Sequence, residues 1–497
     1  MSTIEKAVNG FKANLVAKAV EIGVNGLLIL LLTRVFLTTE EYGLLYLAIS
    51  IFGMAVFFSR MGFAKSAARY VTEYREIDPS KIPFIVRRSL TFNLITIAVM
   101  VIGLIVFRDP IATLVGEPEL VPLLSFGFLF VITQTLHSYG YVLCQGFNRV
   151  TWSAALLIVS NLGILVFVLV FLGLGFGVVG ALFGYIAGYA LGAGLGLVVL
   201  YRWVSRIDRE PPDAVNDRTG SDDDGLSRRI LEYSLPLTVT GSASILYKRV
   251  DIVLVGAFLT PVAVGYYVLA KQLTEFVTAP ASSLGFALAP TYGESKSSDQ
   301  LARAAEIYET TFQYTLLFYI PAAVGIVLVA DPAIRYVFGD GYLGAIPIIQ
   351  VLSVFVVLQS INKITNDALD FLGRARHRAI SKGSAAILNL GLNLVLIPTI
   401  GVIGAAVSTI LSYALMVIVN IYLINAELSL SLRRLFATVA RVCGVTIGMA
   451  LVVILFLPFV SSVVSLLVIV ALGVCVWLAL AVTSGLLDLR WAVGQLS

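Results

Sequence analysis

The chain has 497 residues, of which 59% are apolar and only 13% charged, with a formal net charge of +4. A water-soluble protein carries roughly twice that share of charge, so the composition excludes a soluble core and implies a polytopic membrane protein. The three cysteines, Cys144, Cys443 and Cys475, lie far apart in or beside apolar runs, and no paired spacing suggests a disulfide framework or a metal site.

The first apolar run continues to full spanning length with no small-residue cleavage site, so the first helix is expected to stay as an anchor. Runs long enough to cross a bilayer, about 20 residues each, fall near 14–37, 43–63, 84–107, 121–143, 151–172 and 177–201. After a polar break they resume near 231–257, 262–288, 310–330, 344–369, 380–398, 401–424, 437–457 and 461–483. The reading is an all-α polytopic membrane protein of about 14 transmembrane helices, since β-barrel spans would be shorter and alternate in polarity.

The connections after the even-numbered helices hold most of the basic residues, such as Lys65, Arg69, Arg75, Lys81, Arg87 and Arg88 in one of them. Those between are short and nearly uncharged. By the positive-inside rule both termini are cytoplasmic. The segment 202–230 includes REPPDAVNDRTGSDDDG, rich in acids and turn formers, and reads as a flexible cytoplasmic linker.

The sequence also repeats. Phe36-Leu37-Thr38, Gly43, Leu47-Ala48 and Asp109-Pro110 return at one constant offset as Phe258-Leu259-Thr260, Gly265, Leu269-Ala270 and Asp331-Pro332. With some drift, Asn161-Leu162-Gly163 and Tyr189 return as Asn389-Leu390-Gly391 and Tyr413. The expected organisation is an N-terminal six-helix lobe over 1–201, the linker 202–230, a C-terminal six-helix lobe over 231–424, and an accessory helix pair with the tail over 425–497. Six helices per copy give both copies one orientation, so they form parallel repeats, which place a substrate between lobes that rock.

An ionisable group at membrane depth costs about 2.5–3.5 kcal/mol on insertion scales, so each needs a reason. The candidates are Lys18, Glu21, Arg34, Arg60, Lys248, Arg249, Asp251, Lys271, Glu275, Lys363 and Asp367. Lys18/Glu21 and Lys248/Asp251 at i,i+3, and Lys271/Glu275 and Lys363/Asp367 at i,i+4, are spaced to pair on one helix face. One reading is that the pairs neutralise each other and fasten helices. The other is a cationic, water-filled cavity formed by Arg34, Arg60, Lys248, Arg249, Lys271 and Lys363, with Glu21, Asp251, Glu275 and Asp367 serving ion coupling or structural pairing. The excess of bases favours an anionic, phosphate-bearing ligand.

Other features are weaker. GFGVVG over 175–180 fits a dinucleotide fingerprint but follows no soluble strand, so the match is accidental. Gly180, Gly184, Gly188, Gly192 and Gly196 lay a groove along one helix face, where a neighbouring helix can approach closely. His137 reads either as a packing histidine or as a proton relay, and His377 as a contact for lipid phosphates. Prolines such as Pro236, Pro321 and Pro398 are placed to bend second-half spans. No phosphate loop, zinc spacing or catalytic triad appears, so no catalytic residue, metal or cofactor is expected, and no nucleic-acid partner.

RVFLTTEEYGLLYLA over 34–48, DIVLVGAFLTPVAVGYYVLA over 251–270 and GFGVVGALFGYIAGY over 175–189 together resemble motifs of polysaccharide-biosynthesis flippases of the multidrug, oligosaccharidyl-lipid and polysaccharide exporter superfamily. The resemblance implies a non-enzymatic plasma-membrane flippase that carries a polyprenyl-(pyro)phosphate-linked oligosaccharide from the cytoplasmic to the outer leaflet by alternating access. It serves cell-surface polysaccharide or glycoprotein synthesis. The implied partners are that lipid-linked sugar, membrane lipids, and glycosyltransferases or a polymerase of the same pathway. The implied cationic cavity falls on Arg34, Lys248, Arg249 and Lys271. The alternatives are a cation-coupled multidrug or metabolite exporter of the same superfamily, and a membrane-embedded polymerase or glycosyltransferase.

Overall fold

The computed structural model describes residues 3–209, 223–297 and 301–487. Most of the acid-rich linker expected over 202–230 lies outside the described residues. Among the described residues all regular structure is helical, in two compact units that divide between Val262 and Ala263.

The first unit contains α1 (Thr3–Leu31), α2 (Thr39–Arg60), α3 (Phe63–Ile77), α4 (Ile82–Val115), α5 (Leu120–Ser125), α6 (Gly127–Gly146), α7 (Val150–Gly173), α8 (Gly177–Ile207), α9 (Asp223–Ile245) and α10 (Asp251–Phe258). The second contains nearly all of α11 (Pro261–Ser297), then α12 (Leu301–Ala333), α13 (Ile346–Phe371), α14 (Ala375–Ile400), α15 (Val402–Leu428), α16 (Leu432–Phe456) and α17 (Val463–Thr483). Packing and duplication thus divide the chain differently: the seventh expected span, α9 with α10, belongs to the first unit by contact.

Eleven described helices are long and apolar enough to cross a membrane. The expected spans near 121–143, 231–257 and 262–288 are helical as α5–α6, α9–α10 and α11, although none is among the eleven. Polar side chains account for the weak signal of α6, which carries Gln134, His137, Ser138 and Gln145.

The repeated Phe-Leu-Thr echo has a local cause. Thr38 caps α2 with a reciprocal box: its hydroxyl accepts from the Glu41 N–H at 3.2 Å, while a Glu41 oxygen accepts from the Thr38 N–H at 2.8 Å. Its counterpart Thr260 directly precedes α11, which opens on Pro261, a residue whose fixed φ and missing N–H suit the first helical position. Both copies therefore encode a helix start.

In the first unit the main seam joins α7 and α8 along the glycine row. A Cβ at Gly188 would stand 2.5 Å from the Ile164 backbone nitrogen, so only glycine lets the helices meet this closely. The row continues onto α6, where Gly196 faces the Gly140 Cα. The accidental GFGVVG match is the turn between α7 and α8, with Gly175 and Gly177 at positive φ.

In the second unit α12 packs beside α13 and α16, and α16 and α17 form a pair. Leu317, Val442, Met449, Val453 and Trp477 form a core joining that pair to α12. Pro321 and Pro332 lie inside α12, Pro398 inside α14 and Pro236 inside α9.

Candidate functional site

The polar interior of the first unit is built on one stripe of α2. Tyr46, Gly53 and Arg60 are spaced by sevens, two helical turns, and so share a face. Arg60 is the last residue of α2, which stops because Met61 and Gly62 both turn left-handed, at φ 36° and 74°. The Ser59 carbonyl, left without a helical donor by that stop, accepts from Asn93 Nδ2 and Thr96 Oγ1 of α4, both at 2.6 Å. The end of α2 is thereby fixed, and Arg60 with it.

Arg249 comes from a π-helical segment, Leu246–Val250, between α9 and α10. Single π turns interrupt helices at functional positions more often than elsewhere. Its side chain crosses α2 at Gly53, where an added Cβ would lie 2.9 Å from Nε and 3.2 Å from Cζ. Arg60 and Arg249 repel each other electrostatically, and Tyr189 of α8 interacts with both. Neither arginine has an ion-pair partner among the described residues, and Arg60 Nε is buried without a hydrogen-bond partner.

Hydroxyl and amide groups surround the two cations. Tyr189 lies beside Gln134 of α6, whose Oε1 is buried without a hydrogen-bond partner. The hydroxyl oxygens of Tyr185 and Tyr46 are 3.2 Å apart. His137 lies against the Tyr189 ring, with centroids 5.7 Å apart, and its Nε2 is 3.4 Å from Ser160 Oγ. Its Nδ1 is buried without a partner and presses on Gly192, where a Cβ would come within 2.5 Å. The structure therefore makes His137 a packed neighbour of the cluster, seated by a gap in the glycine row.

The remaining first-unit candidates are dispersed. Lys18 and Glu21 form their i,i+3 pair at 2.8 Å, and Glu21 also interacts electrostatically with Tyr189. Arg34 sits in a second π-helical segment, Leu32–Phe36, about 20 Å further along the helix by rise per residue. It is exposed and has no ion-pair partner among the described residues. Lys248 is exposed. Asp251 is 1% exposed, and its Oδ1 accepts from the Ile252 N–H at 2.9 Å at the start of α10.

The second unit holds the other candidates. Lys271 Nζ lies 5.6 Å from the Tyr267 ring centre. Lys363 Nζ donates to the Thr278 carbonyl at 2.8 Å, tying α13 to α11. Glu275 is exposed, and half-buried Asp367 lies in the field of Asp370 and Arg378. Nearby, Asn362 Nδ2 donates to the Tyr413 hydroxyl at 3.1 Å, and Asn420 Nδ2 donates to Asn362 Oδ1 at 3.0 Å. Tyr413 is the repeat partner of Tyr189, so each unit sets an amide against the same tyrosine position.

The candidates thus fall into two sets, one in each unit; in the first, Lys18 pairs with Glu21, and Arg60 and Arg249 lie in each other's field. Sequence reasoning missed Tyr46, Gln134 and Tyr185 and took Tyr189 only as a repeat marker. The usable signal was polar spacing: 134/137 on α6 and 185/189 on α8 repeat at helical intervals. Two unpaired guanidinium groups among hydroxyl and amide donors suit an anionic, oxygen-rich group, above all a phosphate. No group of His, Cys, Asp and Glu able to hold a metal occurs among the described residues.

Comparison with known proteins gives the same class. The family described as "Polysaccharide biosynthesis protein" matches residues 11–296, and MatE matches residues 236–395. "Probable low-salt glycan biosynthesis flippase Agl15" of Haloferax volcanii is 23% identical over 397 residues, covering 79% of this chain and 78% of its own. Among solved structures, the lipid II flippase MurJ in an inward closed conformation superposes with a TM-score of 0.74 at 15% identity, covering 95% of this chain and 98% of that one. An inward-facing multidrug resistance MATE transporter of the MOP superfamily reaches 0.68 at 15% identity, covering 83% and 94%. Fold and relatives define a multi-pass membrane transporter of the flippase type, not an enzyme. The chain belongs to the polysaccharide biosynthesis protein family.

Proposed function

We propose that this flippase carries a polyprenyl-(pyro)phosphate-linked oligosaccharide from the cytoplasmic to the outer leaflet of the plasma membrane by alternating access, for cell-surface polysaccharide or glycoprotein synthesis. The observation that carries the reading is the pair Arg60 and Arg249 along one face of α2, each in the other's field and neither with an ion-pair partner among the described residues. Such a pair is relieved by an anion, and a phosphate accepts from several N–H groups of each guanidinium. Tyr46, Tyr185, Tyr189 and Gln134 offer donors for the remaining oxygens. Lys248, Arg34, Lys271 and Lys363 serve the same headgroup at other stages of its passage, and Glu21, Asp251, Glu275 and Asp367 couple an ion or balance charge. Fourteen spans in two parallel repeats, with both termini cytoplasmic, complete the proposal. The enzymes that build and polymerise the sugar are its pathway partners.

A second reading, a cation-coupled exporter, is favoured by the MatE match over 236–395. Reconstituted vesicles separate the two. A flippase moves a fluorescent polyprenyl-phosphate sugar between leaflets and loses this with Arg60→Ala and Arg249→Ala. An exporter moves a soluble cationic drug and leaves the lipid-linked sugar in place.

A further inference from the structure

α14 begins at a basic corner made by Arg374, Arg376, His377 and Arg378. Two of its arginines are neutralised: Arg374 Nε donates to Glu427 at 2.7 Å, and Arg378 Nε lies 2.8 Å from an Asp370 oxygen. Arg376 and His377 are exposed and have no ion-pair partner among the described residues. The first turn of α14 also lacks a side-chain cap, so its N–H groups face outward at the positive end of the helix.

An apolar groove of about 260 Å³ starts at His377 and runs between α14 and α15. Its floor is buried, with Ala385 2% and Met416 3% exposed, while the walls include the exposed Ile380 and Leu415. Its polar lining residues are His377, Ser381 and Ser384. Ser381 is 8% exposed, and its Oγ is buried with no hydrogen-bond partner, one turn beyond His377.

We infer that this groove binds an anionic phospholipid of the surrounding membrane. The phosphate sits against the Arg376 guanidinium, the His377 ring and the uncapped first turn of α14. One hydrocarbon chain lies along the groove, and the Ser381 hydroxyl donates to an ester oxygen below the headgroup. Basic pockets between spanning helices draw anionic headgroups in this way, and a helix N-terminus adds a further anion site. The occupant is a bulk phospholipid and not the transported lipid, because the groove's own walls on α14 and α15 are exposed: Ile380 is 58% and Leu415 47% exposed. The groove belongs to the second unit, and Arg60 and Arg249 belong to the first.

The test is native mass spectrometry of the full chain released from phosphatidylcholine vesicles containing a minor fraction of phosphatidylglycerol. The expected result is selective retention of phosphatidylglycerol. Arg376→Glu combined with His377→Glu should lower that retention about a hundredfold, the scale of a change of about three charges at a membrane surface. Arg376→Lys should keep it. Ser384→Trp, at an exposed position on the rim, should displace the lipid with an unchanged melting temperature. Equal retention by wild type and the charge-reversed variant, or equal retention of the two phospholipids, would overturn the inference. So would replacement of phosphatidylglycerol by an equimolar polyprenyl phosphate, which would give the groove to the transported lipid. Retention is read without any transport assay, so failure here and failure of the flippase reading are distinguishable.

Discussion

Trp477 Nε1 donates to the Leu317 carbonyl at 3.1 Å, and both groups are buried. Leu317 lies four residues before Pro321 in α12, so this is the carbonyl that proline deprives of its helical N–H. The indole of α17 supplies the missing donor. The α16–α17 pair is therefore keyed to one of the two proline positions of α12.

Trp477→Phe should destabilise the protein by about 1–3 kcal/mol, the cost of a buried acceptor left without a donor. In a Pro321→Ala background residue 321 again has an N–H, and most of that cost should vanish. Thermal unfolding in detergent of the four proteins of this cycle measures the coupling. Equal losses in both backgrounds would show that the indole only fills space.

A second pair of variants tests the seat of His137. Gly192→Ala places a Cβ 2.5 Å from its Nδ1, and destabilisation of about 1–3 kcal/mol is expected from overpacking. Adding His137→Ala should recover part of it, since the Ser160 Cβ, 2.9 Å from the added carbon, remains. Gly188→Ala meets the Ile164 backbone, so trimming Ile164 should recover little. Comparable rescue at both sites would contradict this account of the glycine row.

These contacts mark the limit of what the sequence discloses. The helices were legible because long apolar runs have few solutions in a bilayer, and the capped start of α2 because Thr38 and Glu41 carry their signal locally. The glycine row predicted a close helix neighbour, and α7 and α6 occupy that place. The π-helical segments holding Arg34 and Arg249 leave no local pattern, since an extra residue in a turn depends on tertiary packing. Pairing was legible where it is local, as with Lys18 and Glu21. It was not where Lys363 crosses to the Thr278 carbonyl, because the acceptor is backbone on another helix. Tyr185 and Gln134 looked like ordinary polar residues in apolar helices until the fold set them around two arginines.

Outside the spans, the carboxyl of Glu117 is held above the usual carboxylate range by partial burial and then by Glu40 and Glu119. A raised folded-state pKa contributes stability at pH below the unfolded value, and this is lost as pH rises through the folded value. Glu117→Gln should therefore raise the melting temperature at neutral pH, with the gain disappearing at pH values below about 4. A gain independent of pH would contradict the electrostatic cause.

Gly53→Ala tests the positioning of Arg249. The added carbon meets the mobile end of the arginine, so the fold should persist while the guanidinium shifts. Transport of the lipid-linked sugar should fall roughly tenfold, as a misplaced binding group allows. Retained rates with an unchanged fold would show that Arg249 need not lie over α2.

The most direct measurement is movement of a fluorescent polyprenyl-pyrophosphate oligosaccharide between leaflets of vesicles holding the purified full-length protein. The account predicts rapid movement by wild type and a loss of about a hundredfold or more in the Arg60→Ala/Arg249→Ala protein, with insertion and melting temperature kept. Unchanged movement in that variant, or none by correctly folded wild type, would contradict it.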